Sequence, residues 1–386
     1  SISAGALVGL NSSGTISTMG ASAGAPVQVN PTNHTGSHDS TRAIVYDTVN
    51  NKTIQFFKDQ QNSGYLSVRV GTVSGTSISY GTTVATSILA RRMKAAYDPN
   101  AQRAVCVFRN DSDTSDGYAI AVSVSGTTPT FGSAAEFNND NTEGMDICFD
   151  NNSNKLVVVW KAQSNAVLAK VISISGSSLS FGSAAGPSGA TANTSTVFCE
   201  FDSNSNKVVA QWNSYATNYP MAAVGTVSGT SISFGALTIL TSVGSSAANS
   251  ITFDSNTNSL VIFFAAISTN FGSVIRGKIS GTLFFASPTA TISEISTTVG
   301  GIVFDPDTNQ CVTQFNHLGN NNIRTTIFNS GNPTWVGIAA ESISNNATGK
   351  VTVIGGISIN QSNLVTGASY GLPSTASVLT LSLIHI

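Results

Sequence analysis

The sequence predicts an all-β chain of β-propeller type, and three repeated features carry that prediction. An aromatic–Asp pair recurs at Tyr46-Asp47, Tyr97-Asp98, Phe149-Asp150, Phe201-Asp202, Phe253-Asp254 and Phe304-Asp305, at intervals of 51, 52, 52, 52 and 51 residues. A Ser-Gly pair recurs in step, with its glycines at Gly75, Gly126, Gly176, Gly229, Gly281 and Gly331. Ten residues after each Asp stands a large ring: Phe57, Phe108, Trp160, Trp212, Phe264 and Phe315. Even the letters repeat, since GTVSGTSISYG at 71–81 returns as GTVSGTSISFG at 225–235. Self-similarity at one period means that each unit is a single supersecondary element, buried by stacking on its neighbours.

The third unit shows the elements in order. MDICFD is a first strand, NNSNK a turn, LVVVW a second strand, and a polar loop leads to AVLAKVISI, SGS and SLSFGSA. Short β-branched runs punctuated by Asn, Asp, Gly and Ser are strands joined by hairpins, and no run has helical spacing. Four antiparallel strands in some 52 residues make a propeller blade. An open β-solenoid competes, but its coils are shorter, parallel and without paired hairpins.

Each marker has a physical role. Asp and Asn side chains bond their own backbone two residues on and tolerate left-handed conformations, so Asp47, Asp98, Asp150, Asp202, Asp254 and Asp305 are read as structural turns. The run Asp150-Asn151-Asn152-Ser153-Asn154 looks like a calcium loop but lacks the Gly at its sixth position and the Glu at its twelfth, so no metal is assigned. The Ser-Gly pair closes the second hairpin, with Gly taking positive φ. The ring at Asp+10 fills the gap between neighbouring sheets.

Residues 31–337 hold the six repeats. Residues 1–30 repeat only the Ser-Gly-Thr marker, at Ser13-Gly14-Thr15. At the other end, ISINQSNLV (357–365) aligns with FDNNSNKLV. Joined, these ends make a seventh blade and close the sheet edges. Seven blades are expected and six are the alternative, in which residues 338–380 begin a separate small β module. The opening SISAGALVGL has no Met, basic region or apolar core of a signal peptide, so the sequence is expected to start inside a longer chain. The last six residues, LSLIHI (381–386), match a translated sequencing adaptor and are expected to be non-native, a product of environmental sequencing; a native apolar tail is the alternative.

Composition limits the function. Charged residues make up 9% of the chain, against about 25% in typical domains, and a net charge of −2 gives no field for nucleic acid. No run is long enough to span a membrane as a helix. Cys106, Cys148, Cys199 and Cys311 sit in strand-like runs without metal spacing and read as buried free thiols of a chain made in a reducing cytoplasm. His34 and His38 lie four apart in a Gly/Ser loop and make no metal pair.

In a four-stranded meander the first and third turns share one rim, while the second turn and the blade connections share the other. The first rim repeats itself; the second does not. Its loops KDQQNSG, RNDSDTSDG, KAQSNA, NSYATNYP, AAISTNFGS and NHLGNNN differ in length, charge and aromatic content. A constant frame with one diversified rim suits recognition. Arg109, Asp111, Asp113, Asp116, Tyr215, Tyr219, Phe271 and His317 are the candidate ligand-binding residues, and aromatics beside Asn and Asp suit sugar rings. The carboxylates of loop 110–117 miss calcium-loop spacing and read as a solvated acidic loop. There is no sialidase-type box, G-x-S-x-G, P-loop or dinucleotide fingerprint, so neither catalysis nor a cofactor is expected.

The units TRAIVYDTVNNKTIQFF and CEFDSNSNKVVAQW, each followed by the eleven-letter hairpin, resemble repeat proteins of marine bacteriophage and environmental viral sequences, the tail-fibre or receptor-binding proteins. The resemblance covers about residues 40–337. WVGIAAESISNNATGKV and NQSNLVTGASY resemble the segment that follows such repeats, and SGTLFFAS in the fifth unit departs from the pattern. The resemblance implies a virion-surface role without catalytic residues. The expected function is therefore non-enzymatic adhesion, recognising a host cell-surface glycan or receptor. Other virion proteins are expected as partners and a homotrimer as one assembly; nucleic acid and membrane insertion are not expected. A structural spacer or protein-docking propeller is the alternative, ahead of a polysaccharide-cleaving enzyme.

Overall fold

The computed structural model describes residues 42–317 except 76, 194–196 and 246–249, then residues 323–328 and short strands at 8–10, 16–18, 338–339, 348–349, 351–352 and 370–371. The fold is all-β and of β-propeller type, with six blades in chain order. The helical element among the described residues is a single 3-10 turn, Gln60–Asn62. Blade 4 shows the plan: Phe198–Asp202, Lys207–Asn213, Pro220–Ser228 and Ser231–Phe234 pair as an antiparallel meander, and Thr238–Ile239 returns to the third strand. The outer strand is thus broken in two, each half pairing with a different end of the third strand. Blades 1 and 2 repeat this arrangement.

The chain divides into two compact units. One holds residues 1–141 with the hairpin 174–180, and the other holds 142–173 with 181–386. Blades 1 and 2 belong to the first, and most of blades 3 to 6 to the second. Within each unit neighbouring sheets share a core. Cys199, Phe201, Trp212 and Val227 of blade 4 pack with Val157 and Val159 of blade 3. The same four positions, Ile251, Phe253, Phe264 and Ile279, seat blade 5 on blade 4, and Ala95, Tyr97, Phe108 and Val124 seat blade 2 on blade 1. The rings at Asp+10 of blades 2, 4, 5 and 6 therefore fill inter-blade gaps as expected, with Phe108, Trp212, Phe264 and Phe315 at most 2% exposed, and Trp160 is buried as well. Phe57 departs from the expectation and is only half-buried. In blade 1 the four seat positions are Ile44, Tyr46, Phe57 and Val73, and three of them are 64%, 48% and 55% exposed, in the order Ile44, Tyr46, Val73. That face of blade 1 is exposed, so the Phe57 side chain has no gap to fill.

All six Asp turns form as read. Each carboxylate accepts the N–H groups two and three residues on, as Asp202 does from Asn204 (2.9 Å) and Ser205 (3.0 Å). The residue at Asp+4 is left-handed in every copy: Asn51, Gln102, Asn154, Asn206, Asn258 and Asn309, with φ between 49° and 55°. Each carboxylate thus caps its own turn, as read. The Ser-Gly hairpins hold φ near +60° at Gly75, Gly126, Gly176, Gly229 and Gly281.

The glycine that closes each outer strand has a different cause. A Cβ on Gly81, Gly132, Gly182 or Gly235 would run into the backbone carbonyl of Thr127, Ser177, Thr230 or Thr282, respectively. Each of those carbonyls lies one residue past the hairpin glycine of the next blade. So the last letter of GTVSGTSISFG is dictated by the following copy of the motif. In blade 5 Ser287 occupies this place. Its outer strand Leu283–Ala286 still forms, but the connection continues as one long strand, Ala290–Asp305, joining the sheets of blades 5 and 6 through three register shifts.

Six blades are present rather than the seven expected. Val8–Leu10 pairs with Ile16–Thr18, Ile338–Ala339 with Val351–Thr352, and Thr348–Gly349 with Tyr370–Gly371. Among the described residues no pairing joins the two ends. The expected first hairpin of a seventh blade, 357–365, lies outside the described residues. Its sequence lacks both devices of the other turns: Ser358 stands for the capping Asp and Ser362 for the left-handed Asn. Ser caps more weakly than Asp.

One core residue opposes the fold. Gln211 is fully buried at the blade 4–5 interface, and neither its Oε1 nor its Nε2 has a hydrogen-bond partner. The equivalent residues in blades 1, 2, 3 and 5 are Phe56, Val107, Val159 and Phe263. Gln211→Leu is expected to raise stability by about 1–3 kcal/mol, because it removes a buried amide that gains nothing in return. A urea melt with an unchanged or lower midpoint would show that the amide is satisfied.

Candidate functional site

The rim of the second-to-third-strand loops is more ordered than its sequence suggests. In the second unit, Asn165, Asn218 and Asn270 take φ of 67°, 58° and 56° at equivalent places in blades 3, 4 and 5. Their carbonyls accept the N–H groups of Ala192 (2.8 Å), Ser245 (2.9 Å) and Thr297 (2.7 Å), each on the connection into the next blade. Thr217 and Thr269 hydroxyls accept from the backbone N–H of Tyr219 (3.3 Å) and Phe271 (3.1 Å). A Ser/Thr-Asn pair thus recurs inside loops of unequal length, a signal that Ser164-Asn165, Thr217-Asn218 and Thr269-Asn270 carry in plain sight.

On this frame sit three of the expected contact residues. Tyr215 is 58% exposed, while its N–H is held by the Thr191 carbonyl (3.1 Å). The loop is closed beneath it by Ser214 N–H to the Tyr219 carbonyl (2.9 Å) and Asn218 N–H to the Ser214 carbonyl (2.9 Å). Asn193, from the connection into the blade, donates its side-chain amide to Asn218 Oδ1 at 2.6 Å. Tyr219 immediately precedes its third strand and Phe271 opens its own, and both are half-buried. Tyr65 opens the third strand of blade 1 in the same way, and the sequence reading passed it over. At the tip of the blade 5 loop Ile267 takes the place of Tyr215 and is 49% exposed. His317 ends a strand of blade 6, but its side chain lies outside the described residues, as do His34 and His38.

The other four candidates lie together in the first unit, on blade 2. Asp111 accepts from Arg109 Nε at 2.9 Å and pairs with Arg91 Nε at 2.5 Å. Arg91 and Lys94 flank a register shift in the first strand, where Arg92 is left-handed with φ of 54°. Asp116 is 4% exposed and accepts from the Thr114 hydroxyl at 2.9 Å. Asp113 and Asp116 meet Glu136, a partner from the outgoing connection that the sequence did not suggest, with their oxygens within 4.8 Å of one another. Tyr118 donates its hydroxyl to Asp113 (2.6 Å) and lies 3.3 Å from Glu136, and these carboxylates push its ionisation up. Three hard oxygen donors of this kind suit a divalent cation. The Tyr118 proton already bridges two of them, so the cluster also holds together as a hydrogen-bonded group. The four cysteines are buried and free, as read, and burial pushes the Cys106 thiol up, which makes it unreactive.

No protein-family model and no curated protein matches the chain. Solved structures do. A protein from Lactobacillus plantarum is similar over 83% of this chain and 89% of its own, at 9% identity and a TM-score of 0.50. The SapL1 lectin, solved with alpha methyl fucoside, is similar over 76% and 94%, at 12% identity and a TM-score of 0.49. The β-propeller domain of Cps50 (Swd1) from Myceliophteria thermophila covers 73% and 81%, at 7% identity and 0.47. The likeness is one of fold.

Proposed function

We propose that the chain is a non-enzymatic carbohydrate-binding propeller whose contacts lie on the loop rim of blades 4 and 5. The observation that carries this reading is Tyr215, an exposed ring on a backbone tied from both sides. An aromatic face held in place stacks on the apolar face of a sugar at little entropic cost, and the surrounding amides and hydroxyls suit its hydroxyl groups. Tyr215→Ala is expected to weaken glycan binding by about 1–3 kcal/mol, from lost stacking and an unmatched hydrogen bond. Thr230→Ala, on an exposed hairpin of the opposite rim, is expected to leave binding unchanged. A glycan array with both variants, each checked for folding, decides the matter. Equal losses in both would overturn the assignment of the binding face.

We further read the protein as the receptor-binding part of a phage fibre, displayed on the virion surface. Support comes from the resemblance of its repeats. Binding of the purified chain to intact host cells, competed by the same glycan, is the expected result. A spacer or docking propeller would bind no glycan in either assay.

A further inference from the structure

The bonds that order the rim of the second unit run in one line. The connection 184–197 reaches loop 213–219 through Tyr215 N–H to Thr191, and that loop reaches the connection 235–249 through Ser245 N–H to Asn218. Ile267 N–H to Gly244 then carries the line to loop 265–273. These four segments comprise 45 residues and contain no Asp, Glu, Lys, Arg or His, and the connection that follows, bonded through Thr297 N–H to Asn270, adds one acid, Glu294, and no cation. At the 9% charged share of the whole chain they would carry about four charges. On blade 3, Lys161 lies 3.9 Å from the Glu143 carboxylate. Blade 2 is the opposite case, with Arg91, Arg92, Lys94, Arg109, Asp111, Asp113, Asp116 and Glu136 at one end.

From this we infer that the ligand of the blade 4–5 rim is an uncharged saccharide rather than a sialylated, uronate or sulfated one; the inference rests on the sugar-binding reading of that rim. A carboxylate or sulfate brought against this surface gives up hydration and meets no cation in exchange. What the rim offers is neutral: the Tyr215 ring and hydroxyl, the Tyr219 hydroxyl, the Asn218 Nδ2 group and the exposed Ile267 side chain. Those groups match the C–H face and hydroxyls of a hexose or N-acetylhexosamine.

The test uses the full chain and Tyr215→Ala on immobilised oligosaccharides of two classes, neutral and acidic, over salt from about 0.02 to 0.5 M, a range in which the screening length falls several-fold. The expected result is Tyr215-dependent binding to neutral glycans, constant within about twofold across the salt range, as an interaction without ion pairs requires. Tyr215-dependent binding confined to acidic glycans, or falling tenfold or more with salt, would overturn the inference and leave the sugar-binding reading standing. Binding that ignores Tyr215 would move the site off this rim and overturn both. Folded protein that binds neither class would overturn the sugar-binding reading itself.

Discussion

Trp212→Ala is expected to cost about 3–5 kcal/mol, the largest single-residue loss foreseen here. Trp212 is 1% exposed and lies in the core shared by blades 3 and 4, beside Cys199, Phe201, Val208 and Ala210. The sheets on both sides are pinned by their own ladders, so the void cannot collapse and the lost contacts are not recovered. Phe57→Ala removes a ring from the same repeat position, yet the face it occupies is open, and its cost is expected below about 1.5 kcal/mol. Urea melts of the two variants measure the difference. Equal losses would mean that blade 1 is covered on its open face, and a loss below about 1 kcal/mol for Trp212 would mean that the inter-blade gap is not where its side chain sits.

Gly182→Ala is expected to cost about 2–3 kcal/mol, at the upper end for overpacking by one methyl. The atom in the way is the carbonyl oxygen of Thr230, held in a tight hairpin, so no side-chain rotation relieves the contact. Either the hairpin of blade 4 or the outer strand of blade 3 must shift. Gly301→Ala provides the contrast, since no heavy atom lies within 4 Å of its added methyl and its φ is ordinary for a strand. There the reduced entropy of the unfolded chain makes the change neutral or stabilising by about 0.4–1 kcal/mol. A Gly182 variant as stable as Gly301→Ala would remove the contact from the account of why the motif ends in glycine.

The repeat was legible because its residues answer to their own blade. Asp202 caps its own turn, Gly229 turns its own hairpin, and Trp212 is a large ring wherever the pattern is read. Features that answer to a neighbour were not. Nothing within blade 3 explains Gly182; the reason is in blade 4. Glu136 reads as one more surface acid until the connection folds back beside Asp113 and Asp116. Gln211 shows no sign in its own strand that its amide is buried without a partner. On the loop rim, unequal lengths hid the shared Ser/Thr-Asn pair, and the segments looked unconstrained when each is bonded to the next connection. The alignment of 357–365 with the other first hairpins matched letters but not the capping Asp or the Asn four residues on, where it has Ser358 and Ser362.

The contact between an outer-strand glycine and the next hairpin bears on how such a chain can grow. Because the two halves of each lock belong to successive copies, the unit of exchange is any stretch of one period that brings one hairpin and one glycine, wherever its ends fall. A duplicated copy inserted between Gly182 and Gly235 finds a ready partner on both sides, since the carbonyl it presents and the glycine it offers are those already in use. At Ser287 the glycine half of the lock is missing, so a copy added there would bring its hairpin carbonyl against a side chain. Lengthening by duplication is thus open along the first four blades and closed at the fifth.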